Sequence, residues 1–323
     1  MRIFVTGANG FIGRRLIKKL IKDHQVTVLT REKLHPELSK LNFEKIVIGD
    51  ITKPDTYKRF LKNQEIIIHL AAIRDNWGNE KEFIKVNSDS INNFFIKNSR
   101  LKHIILTSSV YVHGSQNKTI NEDSPINDRD IYSKSKILAE KIIQNQALKK
   151  PFYTIIRPAI VYGPGDNKNG MIVRLIQMIK DNRFMFLGNG ENRLHLVYVD
   201  DLVTSYIKAI EKGPENQTYI VASKEAIKIK NMIKLIERNL KIKNRRYFHL
   251  PKSLMFYLAF LVEYLSKGFN TKPLLMRTQI ETLGNNWRYD IRKASIGLKY
   301  KPSTNYKEGI AKTITWLLSS DLL

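Results

Sequence analysis

Arg2-Ile3-Phe4-Val5-Thr6-Gly7-Ala8-Asn9-Gly10-Phe11-Ile12-Gly13 is the stretch whose reading decides the fold. Residues 2–6 are apolar with strand character, and three glycines follow at G-x-x-G-x-x-G spacing. Ile12, Leu16, Ile17, Leu20 and Ile21 then fall on one stripe of a helix. Strand, glycine turn and helix in direct succession have a physical use. One glycine permits the tight turn, one lets backbone N–H groups approach a pyrophosphate, and one lets helix and strand pack closely. The phosphates would sit at the helix N-terminus. The spacing is one residue longer than the commoner G-x-G-x-x-G, and its position between a strand and a helix predicts dinucleotide binding.

Further strands follow at Val26–Thr30, Ile46–Ile48, Ile66–Ala72, Ile104–Ser109 and Phe152–Ile156, with a late one, Thr218–Ala222, returning to the sheet. Wholly apolar runs alternating with helical stretches predict an α/β fold: a Rossmann-type doubly wound parallel sheet with a smaller, mostly helical C-terminal substrate part. The Pro/Gly-rich segment Arg157–Asp166 marks the exit from the nucleotide-binding part. We therefore expect a dinucleotide-binding domain over 1–165, with 192–222 rejoining it, and a substrate part from 166–191 and 223–323. The end of the second strand carries no acid for a ribose 2′-hydroxyl. Arg31 stands there instead, and a guanidinium suits the extra phosphate of NADP, so NAD(P) is expected with NADP favoured. Asp50, at the end of the third strand, could accept from an adenine amino group or cap the following turn. His69 reads as a satisfied core residue.

Ile131-Tyr132-Ser133-Lys134-Ser135-Lys136 opens a helix whose apolar positions Ile137, Leu138, Ile142 and Ile143 put Tyr132 and Lys136 one turn apart on one face. A free phenol ionises near a pKa of about 10, and an ammonium one turn away favours the phenolate. Tyr132 is thus a candidate general acid/base.

Composition narrows the partners. The 323 residues carry 55 Lys+Arg against 30 Asp+Glu, a formal charge of +25, which favours an anionic small-molecule substrate. No zinc-finger spacing or RNP-type signature accompanies that charge, so no nucleic acid is expected. There is no cysteine, hence no disulfide or thiol nucleophile, and no metal is expected. The first residues run straight into strand and turn, which predicts a cytoplasmic protein. The longest apolar run, Leu254 to Val262, is nine residues, against roughly 20 for a membrane span. The simplest expectation is a helix packed inside the substrate part. Because cations flank it (Arg245, Arg246, Lys252, Lys267, Lys272), a peripheral membrane contact through 251–265 is the other reading.

Taken together, Thr6–Gly13, Gly49-Asp50, His69–Ala72, Asn87, Thr107–Gly114, Tyr132–Lys136, Arg157–Asp166, Val197–Leu202 and the tail from Tyr289-Asp290 to Pro302 resemble the extended short-chain dehydrogenase/reductase family, of the NAD-dependent epimerase/dehydratase type. The resemblance implies that Tyr132 is the acid/base, that Lys136 lowers its pKa and binds ribose, and that Ser109 hydrogen-bonds the reacting oxygen. It assigns to the cofactor Gly7, Asn9, Gly10, Phe11, Ile12, Gly13, Arg31, Asp50, Ile51, Leu70, Ala71, Ala72, Asn87 and Pro158, together with Tyr132 and Lys136. Asn87 matches the asparagine that supports the lysine or cofactor. Two activities follow: an NAD(P)-dependent oxidoreductase/epimerase acting on a secondary alcohol or ketone of a nucleotide- or diphosphate-linked sugar, or an NADPH-dependent reductase of a hydrophobic ketone. Arg31, an apolar Ile160 where many nucleotide-sugar enzymes have asparagine, and the run at 254–262 favour the second. The basic surface favours the first, and a homodimer is left open.

Overall fold

Seven strands pair side by side, all parallel: β1 (Arg2–Thr6), β2 (Gln25–Thr30), β3 (Lys45–Ile48), β4 (Ile66–His69), β5 (His103–Thr107), β6 (Phe152–Pro158) and β7 (Gln217–Val221). Their order across the sheet is β7-β6-β5-β4-β1-β2-β3. This computed structural model describes residues 1–95, 100–116, 118–146, 151–269, 271–320 and 322. After β3 the chain crosses back over β1 to lay down β4, so the strand order reverses between β1 and β4. The crevice outside the carboxyl ends at that reversal is where open α/β sheets bind ligands.

Alternate residues of each strand feed opposite faces. Ile3 and Val5 of β1 pack with Leu16, Ile17 and Leu20 of α1 (Phe11–Leu20) and with Leu202 and Tyr206 of the helix Val199–Lys212. Phe4, Ile67, Ile104 and Ile155 join a second core with Ala139 and Ile143 of the helix Ile131–Gln146. In chain order the helices after α1 are α2 (Glu80–Asn87), α3 (Ile131–Gln146), α4 (Met171–Lys180), α5 (Val199–Lys212), α6 (Ile229–Asn239), α7 (Lys252–Gly268), α8 (Arg277–Gly284), α9 (Arg292–Gly297) and α10 (Tyr306–Ser319).

Two devices fix α3 against the sheet. At its start Asp130 and Ser133 cap each other: Ser133 N donates to Asp130 Oδ1 at 2.7 Å and Asp130 N to Ser133 Oγ at 3.0 Å. One turn beyond Lys136, the buried Glu140 carboxylate takes Arg157 Nε at 2.9 Å and Nη2 at 2.6 Å, while Arg157 Nη1 reaches the Glu122 carbonyl at 3.0 Å. Arg157 belongs to β6, so helix and strand are joined through a forked, desolvated ion pair.

The helix at 252–268 departs from the expectation of a packed interior segment: Ala259 is its one buried residue among those described. α8 packs against α7; Met255, Phe256 and Val262 are half-buried, while Leu254, Tyr257, Leu258, Phe260, Leu261, Tyr264 and Leu265 are exposed. No helix among the described residues is long and apolar enough to cross a membrane.

Removing one partner of a buried ion pair strands the other without water. Glu140→Ala should therefore cost about 3–5 kcal/mol in urea unfolding, whereas Glu140→Met combined with Arg157→Leu should recover most of it. A single-variant loss within the error of the fit would show that the pair does not anchor α3.

Candidate active site

The glycine turn is built by close approach. Gly7 has φ +73°, and a Cβ there would stand 2.8 Å from the Ala71 nitrogen; a Cβ on Gly13 would stand 2.2 Å from the Gly7 carbonyl oxygen. β1, β4 and α1 thus meet at distances that only glycine allows. Gly10 caps α1 without a side-chain bond, and the first turn (Phe11, Ile12, Gly13) holds no acid. The opening N–H groups of a helix have no intrahelical partner, so this end is free to take an anionic group such as a phosphate. Asn9 does something else: its side chain donates to Thr30 Oγ1 (3.1 Å) and the Lys33 carbonyl (2.9 Å) and accepts from His35 N (2.9 Å). It braces the glycine loop against the segment after β2.

At the far end of the crevice Arg31 is exposed just past β2. Asp50 Oδ1 accepts from both Thr52 N and Thr52 Oγ1 at 2.8 Å, so this oxygen caps the local turn. Burial pushes the Asp50 carboxyl up, but the Thr52 bonds and the charges of Arg31 and Lys53 outweigh it and hold the group low. Ile51 is buried and its carbonyl accepts from Tyr57 Oη at 3.0 Å. A basic group and an anionic one therefore stand past the ends of β2 and β3.

After β4, Leu70, Ala71 and Ala72 line the reversal point half-exposed, and Ala71 N donates to Thr6 Oγ1 at 3.2 Å. His69 is held through Nδ1 by Thr6 Oγ1 (2.8 Å) and burial drops its pKa to about 3, a neutral core imidazole. Asn87 is fully buried, takes Ile73 N (2.7 Å), and donates to the Ile73 carbonyl (3.1 Å) and Ser135 Oγ (2.9 Å). It thereby ties the loop after β4 to α3 rather than bonding Lys136. Pro158 ends β6, buried and paired with Val221.

Tyr132, Ser109 and Lys136 come together over β5. Ser109 Oγ accepts from Tyr111 N at 3.2 Å, and its hydroxyl is near enough to the Tyr132 phenol to favour the phenolate. Lys136, buried, donates to the Thr107 carbonyl at 2.8 Å, and its Nζ lies 6.0 Å from the Tyr132 ring centroid. Burial lowers the ammonium to about 8, against a smaller raising effect of Glu140. The expected lowering of the phenol by Lys136 is replaced by a different balance. Burial prevails and holds the Tyr132 phenol above its ordinary value, opposed first by the charge of Arg74 and then by the Ser109 hydroxyl. Lys136 is turned to a β5 carbonyl instead.

Three residues in the site were not singled out by the sequence, although Thr107 and Tyr111 lie within the matched segment Thr107–Gly114. Arg74 lies on the loop after β4, pairs with the buried Asp166 at 3.6 Å, and keeps its side chain about half exposed. Tyr111 meets Tyr132 edge to face with centroids 6.5 Å apart and bonds Thr282 Oγ1 of α8 at 2.8 Å. Thr107 supplies the carbonyl for Lys136 and a hydroxyl bonded to Tyr206 at 2.7 Å. The available signal was position alone, since all three follow or end strands at the ligand-binding edge. No group of three or more potential ligands for a metal occurs among the described residues.

The model of the NAD dependent epimerase/dehydratase family matches residues 3–222. The N-acetyl-alpha-D-glucosaminyl-diphospho-ditrans,octacis-undecaprenol 4-epimerase of Escherichia coli O157:H7 is 26% identical over 97% of this chain and 94% of its own. A decarboxylating sterol-4-alpha-carboxylate 3-dehydrogenase of Dictyostelium discoideum is 24% identical over 95% of this chain and 98% of its own. The crystal structure of UDP-glucuronic acid 4-epimerase from Bacillus cereus in complex with NAD superposes with a TM-score of 0.79, at 21% identity, over 99% of each chain.

The burial of Lys136 has a pH signature. Its folded pKa lies below its unfolded value, so between pH 8 and about 10.4 the unfolded chain holds a proton that the folded chain has released, and stability gains with rising pH. Compared with Lys136→Met in urea unfolding at pH 7, 8.5 and 10, the parent should improve by up to about 3 kcal/mol across that window. A difference that stays flat with pH would place the ammonium in water.

Proposed function

The chain belongs to the NAD dependent epimerase/dehydratase family, and on that premise we propose that it inverts a secondary alcohol of a sugar carried on a diphosphate. One ring carbon, C4 by analogy with the 4-epimerases named above, is oxidised to the ketone and re-reduced from the opposite face. The observation that carries the reading is the convergence of Ser109, Tyr132 and Lys136 at the carboxyl end of β5, beside the glycine turn and a half-exposed Arg74.

The roles follow from the chemistry of the groups. Tyr132 Oη takes the hydroxyl proton during oxidation and returns it during reduction, while Ser109 Oγ holds the same oxygen and limits the charge that develops on it. Arg74 offsets the desolvation of the phenol, and its exposed guanidinium is placed to meet an anionic substrate group. Lys136, aimed by the Thr107 carbonyl, keeps positive charge under the crevice. The dinucleotide would be held by residues 7–13, Arg31, Asp50 and residues 70–72, and supplies the hydride acceptor and donor. An exposed arginine, rather than an acid, as the first residue past β2 supports NADP as the better-bound form. A cytoplasmic site of action, where the dinucleotide is available, is part of the same proposal.

A reductase of hydrophobic ketones loses one of its supports. The apolar side chains of 254–262 point largely to the surface and do not wall a ketone pocket, leaving Arg31 and Ile160 as its basis.

Incubation with a UDP- or polyprenyl-diphospho-N-acetylhexosamine should give the C4 epimer with no net change in cofactor. Stoichiometric oxidation of the reduced dinucleotide with a ketone, and no epimer, would overturn the reading. Tyr132→Phe should lower kcat by at least about 100-fold while the dinucleotide dissociation constant stays within about threefold, because the phenol moves a proton and the glycine loop does the binding. Titration of both dinucleotides should give tighter NADP binding, narrowed by Arg31→Ala. Equal or tighter NAD binding by the parent would make Arg31 an ordinary surface residue.

A further inference from the structure

A surface helix normally turns its apolar stripe to the core and its charges to water. α7 does the reverse. Leu254, Tyr257, Leu258, Leu261, Tyr264 and Leu265 are all exposed, from 39% for Leu261 to 70% for Tyr264. At 3.6 residues per turn they occupy roughly a third of the circumference, one continuous stripe. The inward side holds Ala259 and the helix's one acid, Glu263, which accepts from Arg277 N and Arg277 Nε at 2.7 Å; Phe256 and Phe260 lie under the same guanidinium. The apolar surface continues past the helix into Phe269 and Leu274, 78% and 92% exposed.

The rim of this stripe is cationic. From Arg238 to Met276 the chain has eight Lys and Arg against the single, inward-turned Glu263. Arg245 is bonded to the Ile179 carbonyl, Lys252 to Asn285 and Lys272 to Asp75, whereas Lys243 and Arg246, which precede the helix in sequence, and Lys267, in its last turn, are exposed. Apolar and aromatic side chains between cations match a layer of anionic lipid headgroups over acyl chains. They match a second copy of the same face poorly, since its rim repeats the same charge.

We infer that the outward face of α7 docks on anionic lipid and holds the entrance of the Tyr132 site at the headgroup layer. One layer of structure separates the two. α7 packs on α8, whose Thr282 bonds Tyr111, the tyrosine that meets the Tyr132 ring, and whose Thr278 accepts from Asn76 at 3.2 Å. Lys272, on the loop joining α7 to α8, pairs with Asp75, next to Arg74. Resting on the proposed epimerase reading, this names a lipid-linked sugar diphosphate as the substrate class, with the sugar at Tyr132 and the lipid chain left in the membrane. The docking itself needs no substrate.

Co-sedimentation of the full chain with phosphatidylcholine vesicles, with and without phosphatidylglycerol, tests the docking in the absence of any sugar. The parent should pellet with the anionic vesicles at low salt and much less at high salt. Leu258→Glu, Leu261→Glu and Leu265→Glu together should cut the bound fraction at least about tenfold, with thermal midpoint and dinucleotide affinity unchanged because these side chains make no core contact. Lys243→Ala, Arg246→Ala and Lys267→Ala together should weaken binding while leaving the fold alone. A parent that stays in the supernatant with anionic vesicles at low salt overturns the inference, as does triple-glutamate protein that pellets like the parent. A triple-glutamate variant that only converts a dimer to a monomer on gel filtration overturns it in favour of a second copy. Turnover of a soluble UDP-sugar reports on the epimerase reading separately, since it needs no vesicle.

Discussion

Everything at the site depends on where α3 lies, and α3 lies where the buried Glu140–Arg157 pair and the Lys136–Thr107 bond put it. Both contacts run from one helix face to the ends of two adjacent strands, β6 and β5. An ion pair in a dry setting gives little net stability over an apolar substitute, but it tolerates almost no change of register. That intolerance is useful here. A slip of one residue along α3 would rotate Tyr132 by roughly 100° away from Ser109. The Asp130–Ser133 cap fixes the helix start two residues before the phenol, so the position is determined from both sides.

Neighbours from three different parts of the chain act on the phenol, and burial prevails, leaving it above its ordinary value. Burial under Tyr111 and the helical layer favours the neutral form, while Arg74 and Ser109 favour the anion. A proton-transfer group needs such opposition, because a phenol left to burial alone could not act as a base near neutral pH. Arg74 is also the side chain most directly linked to the rim of the site, through Asp166 on one side and its neighbour Asp75, paired with Lys272, on the other.

The glycine turn, the parallel strands and the Tyr132/Lys136 pair were legible in the sequence because each is written in a local pattern: spacing of glycines, apolar runs, a helical period. His69 was legible as a buried, neutral imidazole, but not as a fully satisfied one: Nδ1 is bonded to Thr6 while Nε2 is buried with no partner among the described residues. Arg74 was not legible, nor were the contacts of Tyr111 and Asp166 within their matched segments, because topology alone brings residues so far apart in sequence to one crevice. Lys136 was read through its distance along the helix, which does not reveal that the Thr107 carbonyl would claim its ammonium. Asn9 and Asn87 sit where the pattern put them, yet their amides hold loops together. The run 254–262 was misjudged for a physical reason. Periodicity shows that a helix is apolar, and only the neighbouring elements decide which face is covered; α8 covers the face with Ala259 and Glu263 and leaves the leucines and tyrosines outside.

Transient oxidation at one carbon, with the hydride kept in the site, is the central claim, and the fate of that hydrogen tests it most directly. A diphosphate-linked sugar carrying deuterium at the inverted carbon should yield an epimer, seen by NMR and mass spectrometry, that keeps its deuterium in ordinary water and leaves the cofactor unchanged. Loss of the label to solvent, or its appearance in free reduced dinucleotide without epimer, would contradict it.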